Sequence, residues 1–158
     1  MVGVSHRKEQ RPLWHCETCG RAFANRNQRH TCGLRSLEQH FEARSTEVRD
    51  IFDAFLAELR SLGPVTVLPE KTRIAFQTRM SFAQLTIRRN WVIGHLVLGR
   101  RVTSSQFTKV ETISQRNHIH HFRLETVSAF GSELRGYLAE AYRVGNQEHL
   151  HAGAGSDV

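Results

Sequence analysis

Cysteine is scarce in this sequence, and so are long apolar runs and, over one long stretch, acidic side chains. There are three cysteines in 158 residues, and Cys16, Cys19 and Cys32 all fall within one short segment. An odd number so closely spaced is a poor disulfide framework; it fits a reducing compartment and a bound metal. The longest apolar stretches are only strand-sized, which excludes a membrane-spanning helix. Met1 to Gln10 lacks the apolar centre of a secretory signal, so the expected location is cytoplasmic. No internal repeat is present. Between residues 71 and 123 a single acid, Glu111, stands against ten Lys/Arg. That rules out a paired-carboxylate or two-metal hydrolase built from this stretch alone.

What is present describes a folded protein. Hydrophobic residues make up 39% and charged residues 23% of the chain, ordinary globular usage that argues against wholesale disorder. The length suits one domain with a real core plus a small appended module that needs other support. The net charge of +7 is unevenly placed. Residues 1–35 carry seven bases against two acids, and 36–70 and 124–158 are both net acidic. Base is therefore concentrated at the N-terminus and in 71–123.

The clearest motif is Cys16-Glu17-Thr18-Cys19-Gly20 followed by His30-Thr31-Cys32, which reads C-x2-C-x10-H-x-C. Two residues between cysteines let both sulfurs face one cation, and Gly20 suits the turn that follows. His30 and Cys32 complete a tetrahedron. Four such ligands without a carboxylate match a closed structural Zn²⁺ site, one per chain, with no position left for substrate. Trp14 and Phe23 can form a small apolar cluster beneath the metal. Arg21, Arg26, Arg29 and Arg35 accompany Asn25, Asn27 and Gln28, side chains suited to phosphates and base edges. Solvated polar surface around a metal knot is the plainer account of the same residues.

Beyond Leu34 the pattern turns helical. Ser36 can cap a short segment to Phe41, and Ser45 a longer helix to Leu62 with Val48, Ile51, Phe52, Phe55, Leu56, Leu59 and Leu62 as its apolar stripe. Gly63-Pro64 ends it. Short β-branched and aromatic runs follow at 65–68, 72–77, 81–88, 91–98, 106–113 and 118–126, and a last helix runs from Ser132 to Arg143. The expected fold class is α+β, with a helix, an antiparallel sheet of about five strands and a C-terminal helix. The expected division is a disordered tail over 1–12, a zinc finger over 13–35, the α+β domain over 36–143 and a flexible tail over 144–158.

The runs Thr72-Arg73-Ile74-Ala75-Phe76, Phe82-Ala83-Gln84-Leu85, Trp91 to Leu98, His121-Phe122-Arg123-Leu124 and Leu138 to Tyr142 resemble an uncharacterised bacterial family, domain of unknown function 5655. The resemblance covers roughly residues 37–143, and in some members a similar cysteine-rich finger of CCHC type precedes the domain. It implies an α+β domain with a curved antiparallel sheet. It brings no catalytic signature.

Function rests on the residues. Taken as an up-and-down meander, the strands put Arg79 with Arg100 and Arg101 at one end of the sheet, and Arg88 and Arg89 with Arg116 at the other. Guanidinium clusters on turns bind phosphates, and charge tolerated on turns for its own sake would carry mixed signs. Nucleic acid or another polyanion is the first expected partner, and an acidic protein docking on the same surfaces is the second. The third reading is a hydrolase or other enzyme using His118, His120 and His121. No nucleophile or third ligand is evident near them, so binding is favoured over catalysis.

Overall fold

In a computed structural model of the chain, residues 10–30, 32 and 35–151 are described. A two-stranded hairpin, β1 (Trp14–His15) with β2 (Ala22–Phe23), opens the described fold. A 3₁₀ turn over Leu37–Phe41 follows, its Ser36 N–H donating to Gln39 Oε1 at 2.9 Å. The helix α1 (Thr46–Leu62) turns Val48, Ile51, Phe52, Phe55 and Leu59 inward. These are stripe positions read from the 3.6-residue spacing. At its end Gly63 has φ 150°, and a Cβ there would lie 2.4 Å from the Tyr142 hydroxyl. Glycine therefore lets the chain leave α1 beneath the last helix, where that hydroxyl donates to Pro64 O at 2.9 Å.

The sheet is antiparallel and has six strands: β3 (Thr66–Pro69), β4 (Ile74–Gln77), β5 (Ser81–Ile87), β6 (Val92–Leu98), β7 (Lys109–Ser114) and β8 (Asn117–Leu124), in the order β3-β4-β5-β6-β8-β7. One face carries Ile74, Phe76, Ala83, Leu85, Leu96, Phe122 and Leu124 into the core, against α1 and the helix α2 (Ser132–Gly145). Phe55 of α1 is fully buried there, with its ring 5.2 Å from Phe76 and 5.4 Å from Phe130. A bulge at Phe76/Gln77 sets Phe82 out of the alternation. Phe82 is fully buried and its ring lies 5.6 Å from Tyr142. Gly94 sits under Phe122 at a spot where a Cβ would be 2.4 Å from the ring, which is how the central strand makes room for it.

The sheet departs from a meander at one place. The chain leaves β6 through residues 99–108, passes β8, lays β7 on the outer edge and returns, so that β8 pairs with both β6 and β7. The reason is burial. His118, His120, Phe122 and Leu124 of β8 are buried and need neighbours on both sides, whereas β7 is mostly exposed and tolerates an edge. Where a flexible tail is expected, α2 extends to Gly145 and a further turn, α3 (Glu148–His151), follows. The expected tail over 1–12 lies outside the described residues up to residue 9, as does the end of the chain from residue 152.

Candidate metal centre and basic surface

The hairpin β1-β2 brings the first two cysteines together. Cys16 N–H donates to Arg21 O at 2.9 Å and Gly20 N–H to Cys16 O at 2.8 Å, with Gly20 at φ 73°. That left-handed residue lets a two-residue gap fold both sulfurs to one side. The segment 25–32 returns His30 and Cys32, and the ligand atoms of Cys16, Cys19, His30 and Cys32 all lie within 4.8 Å of one another. The separations test whether a metal fits. Sγ of Cys16 and Cys32 are 3.8 Å apart, and His30 Nε2 is 3.3 Å from Cys19 Sγ and 3.4 Å from Cys32 Sγ. A tetrahedral ion with Zn–S and Zn–N bonds of about 2.3 and 2.0 Å would space sulfurs by about 3.8 Å and sulfur from nitrogen by about 3.5 Å. The group can hold a metal ion of that size.

The surroundings favour ligation. His30 Nδ1 is 2.6 Å from Gln28 O. A carbonyl only accepts, so Nδ1 carries the proton and Nε2 is left bare toward the sulfurs. The Cys16 thiol is lowered to about 6, chiefly by the Cys19 backbone N–H, while burial and the neighbouring thiols push Cys32 up to about 11. Three thiols this close cannot all ionise unaided; a cation removes the conflict. The rings of Phe23 and His30 meet in a tilted contact at 4.4 Å, with Trp14 5.9 Å from Phe23.

The hairpin β1-β2 rests on the sheet face that points away from α1 and α2. Gln77 Nε2 donates to Ala22 O, and Arg21, its side chain only 7% exposed, pairs with Glu70 at 3.9 Å. Arg21 is thus part of the docking contact. The other arginines separate into engaged and unengaged. Arg79 donates to Gln147 Oε1 at 3.0 Å, Arg100 pairs with Glu140 at 2.9 Å while staying 62% exposed, and Arg101 donates to Thr112 Oγ1 at 2.7 Å. Arg26, Arg29, Arg88, Arg89 and Arg116 are exposed and make no ion pair among the described residues. The grouping expected from a meander changes. Because β8 runs between β6 and β7, the turn carrying Arg116 lies beside Gly99. Arg116 therefore joins Arg79, Arg100 and Arg101 at one end, and Arg88 and Arg89 are left at the other.

The histidine run divides by face. His120 is fully buried; its Nδ1–H donates to His118 O at 3.0 Å and its Nε2 accepts Val102 N–H at 2.9 Å. Both nitrogens are spent on backbone, and burial holds the ring neutral by lowering its pKa. His118 is held between Thr112 Oγ1 and Gln115 O, at 3.0 and 3.2 Å. Only His121 reaches the opposite face, where its Nε2–H donates to Glu111 Oε2 at 2.8 Å and its ring meets His95 edge-on at 5.5 Å. Burial first, then His121 and Arg73, lower His95 to about 4. Lys109 and then His121 lower Glu111 to about 2. Sequence reasoning missed His95 and Glu111 as companions of His121, because only the strand register sets them side by side.

An antiparallel α+β domain with a Cys₃His group at its N-terminal end is therefore the class of protein present. Residues 37–145 match the family described as Domain of unknown function (DUF5655), and the chain belongs to that family. No characterised protein and no solved structure matches it. Among the described residues no helix is long and apolar enough to cross a membrane.

Proposed function

We propose that this protein is a zinc-stabilised binding module whose partner is nucleic acid or another polyanion. The observation that carries the reading is the set of exposed arginines that make no ion pair among the described residues, Arg26 and Arg29 beside the Cys₃His group and Arg88, Arg89 and Arg116 on the strand turns. Arg116 belongs to an end of the sheet that also holds Arg100 and Arg101. A protein that tolerated charge on turns only for solubility would scatter both signs; here one sign dominates, and phosphate oxygens match guanidinium forks in pairs. Zn²⁺ held by Cys16, Cys19, His30 and Cys32 has a structural role in this reading. It fixes the short loop bearing Arg26 and Arg29, which has too little core to fold by itself.

The test is a mobility-shift titration of the full chain with double- and single-stranded nucleic acid at two salt concentrations. Binding that weakens steeply with salt supports the proposal. Absence of binding at low salt overturns it in favour of the acidic-protein reading, in which the same arginines meet carboxylates.

A further inference from the structure

Between the finger and the uncovered face of the sheet lies an open cleft of about 440 Å³. Its floor is made by Ala75, Ser81 and Gln84 of β4 and β5, and its walls by Arg29 and Arg21 from the finger and Arg73 from the sheet. Three guanidinium groups face this space with one carboxylate, Glu70. Glu70 is only 8% exposed and sits between Arg21 at 3.9 Å and Arg73 at 3.6 Å. Arg73, its side chain 49% exposed, and the exposed Arg29 keep positive charge on the two walls. The Gln84 amide, half-buried on the floor, makes no side-chain hydrogen bond among the described residues. Next to Gln84 in the same cross-strand row come His95 and His121, so the polar floor continues toward β8.

We propose that this cleft binds a phosphate monoester, with the dianion between Arg29 and Arg73 and the group it esterifies, of nucleoside size, over Gln84 and beside Asn25. Positive charge from Arg29 and Arg73 suits a phosphate, and forks from two separate elements can each take two oxygens without competing for the same ones. An alkyl or acyl ligand fits poorly, because arginines and amides would lose water and gain no partner. The two halves of the site belong to different elements, and the finger half is placed by the metal. Arg29 directly precedes His30, whose Nδ1–H holds the Gln28 carbonyl. Occupancy by the phosphate therefore depends on occupancy by the metal. The inference rests on the polyanion reading and shares Arg29 with it. Arg73 and Gln84 belong to the cleft alone, so loss of monophosphate binding in Arg73→Ala with nucleic-acid affinity kept separates failure of one from failure of the other. A free mononucleotide and the phosphorylated end of a nucleic acid strand present the same group.

The test uses isothermal titration calorimetry of the full zinc-loaded chain at low salt with adenosine 5′-monophosphate, adenosine, and a short single strand with and without a 5′-phosphate. The monophosphate should bind and adenosine should not. Arg29→Ala and Arg73→Ala should each weaken it about tenfold, the effect of losing a charge-assisted contact. Gln84→Ala, which leaves the net charge intact, should weaken it less, and Arg60→Ala, on the exposed side of α1, should leave it unchanged. Chelator-treated protein with unaltered far-ultraviolet helical signal should lose binding. Preference for the phosphorylated over the unphosphorylated strand marks a strand end as the source, and equal affinity for the two strands marks the free nucleotide. Binding of adenosine as well as of its monophosphate, or monophosphate binding untouched by Arg29→Ala and Arg73→Ala, overturns the proposal. So does failure to bind the monophosphate at millimolar concentration.

Discussion

Cys19 Sγ and His30 Nε2 meet at 3.3 Å across eleven positions of chain, the spacing that a shared tetrahedral ion would also set. If Zn²⁺ is held there, Cys19→Ser should release it, read as zinc per chain by elemental analysis falling from one toward zero. The hairpin β1-β2 should lose order with it, because Phe23 and Trp14 are too small a cluster to hold it. Helical signal from α1 and α2 should persist. At the same scale His95 predicts a pH dependence. Its folded value, about 4, lies below the unfolded imidazole value, so the unfolded chain binds the extra proton between about 6.5 and 4. Stability is full above that window and falls as pH drops through it. Glu111, lowered to about 2, adds a second loss below about 4.5. His95→Gln should flatten the first decline in chemical-denaturation curves taken from pH 7 to pH 4; an unchanged slope would place the acid sensitivity elsewhere, in the thiol ligands first.

Among the elements, the span of α1 was legible in the sequence, since its apolar stripe and its Gly63-Pro64 stop are local signals. Ser45 does stand at the N-cap, but its hydroxyl makes no capping bond, and Leu56 and Leu62 of the stripe are only partly buried. Phe55→Ala should cost about 3–5 kcal/mol, because the ring is fully buried between Phe76, Phe122 and Phe130. A denaturation midpoint that barely moves would mean the helix is not seated as described. The strands were legible as runs, but their neighbours were not. Alternation tells which residues share a face and says nothing of which strand lies beside which, so the insertion of β8 between β6 and β7 was invisible and Arg116 was expected at the wrong end. The bulge that buries Phe82 was equally hidden, as it depends on a pairing slip and leaves no mark in the alternation itself. The cysteine and histidine spacing, by contrast, is chemistry written in order along the chain, and all four side chains converge.

For the whole molecule, charge is the property that composition reports best and geometry revises most. The count of bases over 71–123 suggested many phosphate contacts, yet Arg79, Arg100 and Arg101 partly answer to Gln147, Glu140 and Thr112. If phosphates are bound at the Arg116 end, replacing Arg100 and Arg101 together with alanine should flatten the salt dependence of nucleic-acid affinity by about two units, one per contact. The loss should be similar for all sequences. Replacing Arg26 and Arg29 should also lower discrimination between sequences if the finger reads base edges. Two double variants that both bind as the parent does would remove nucleic acid as the partner of these surfaces.

The position of β7 has a consequence for how the protein breathes. An edge strand has one row of amides bonded to β8 and the other open to water, and Ile113 on it is 65% exposed. Such a strand can detach without disturbing the rest, so its amides should exchange with deuterium earliest within the sheet, while those of β6, enclosed by β5 and β8, should exchange last and only when the domain opens globally. The hairpin β1-β2 contacts the far half of the sheet through Gln77 of β4 and Glu70 just after β3. Detachment of β7 thus carries Glu111 away from His121 while leaving the Cys₃His group closed, and the two ends of the sheet should exchange on separate clocks.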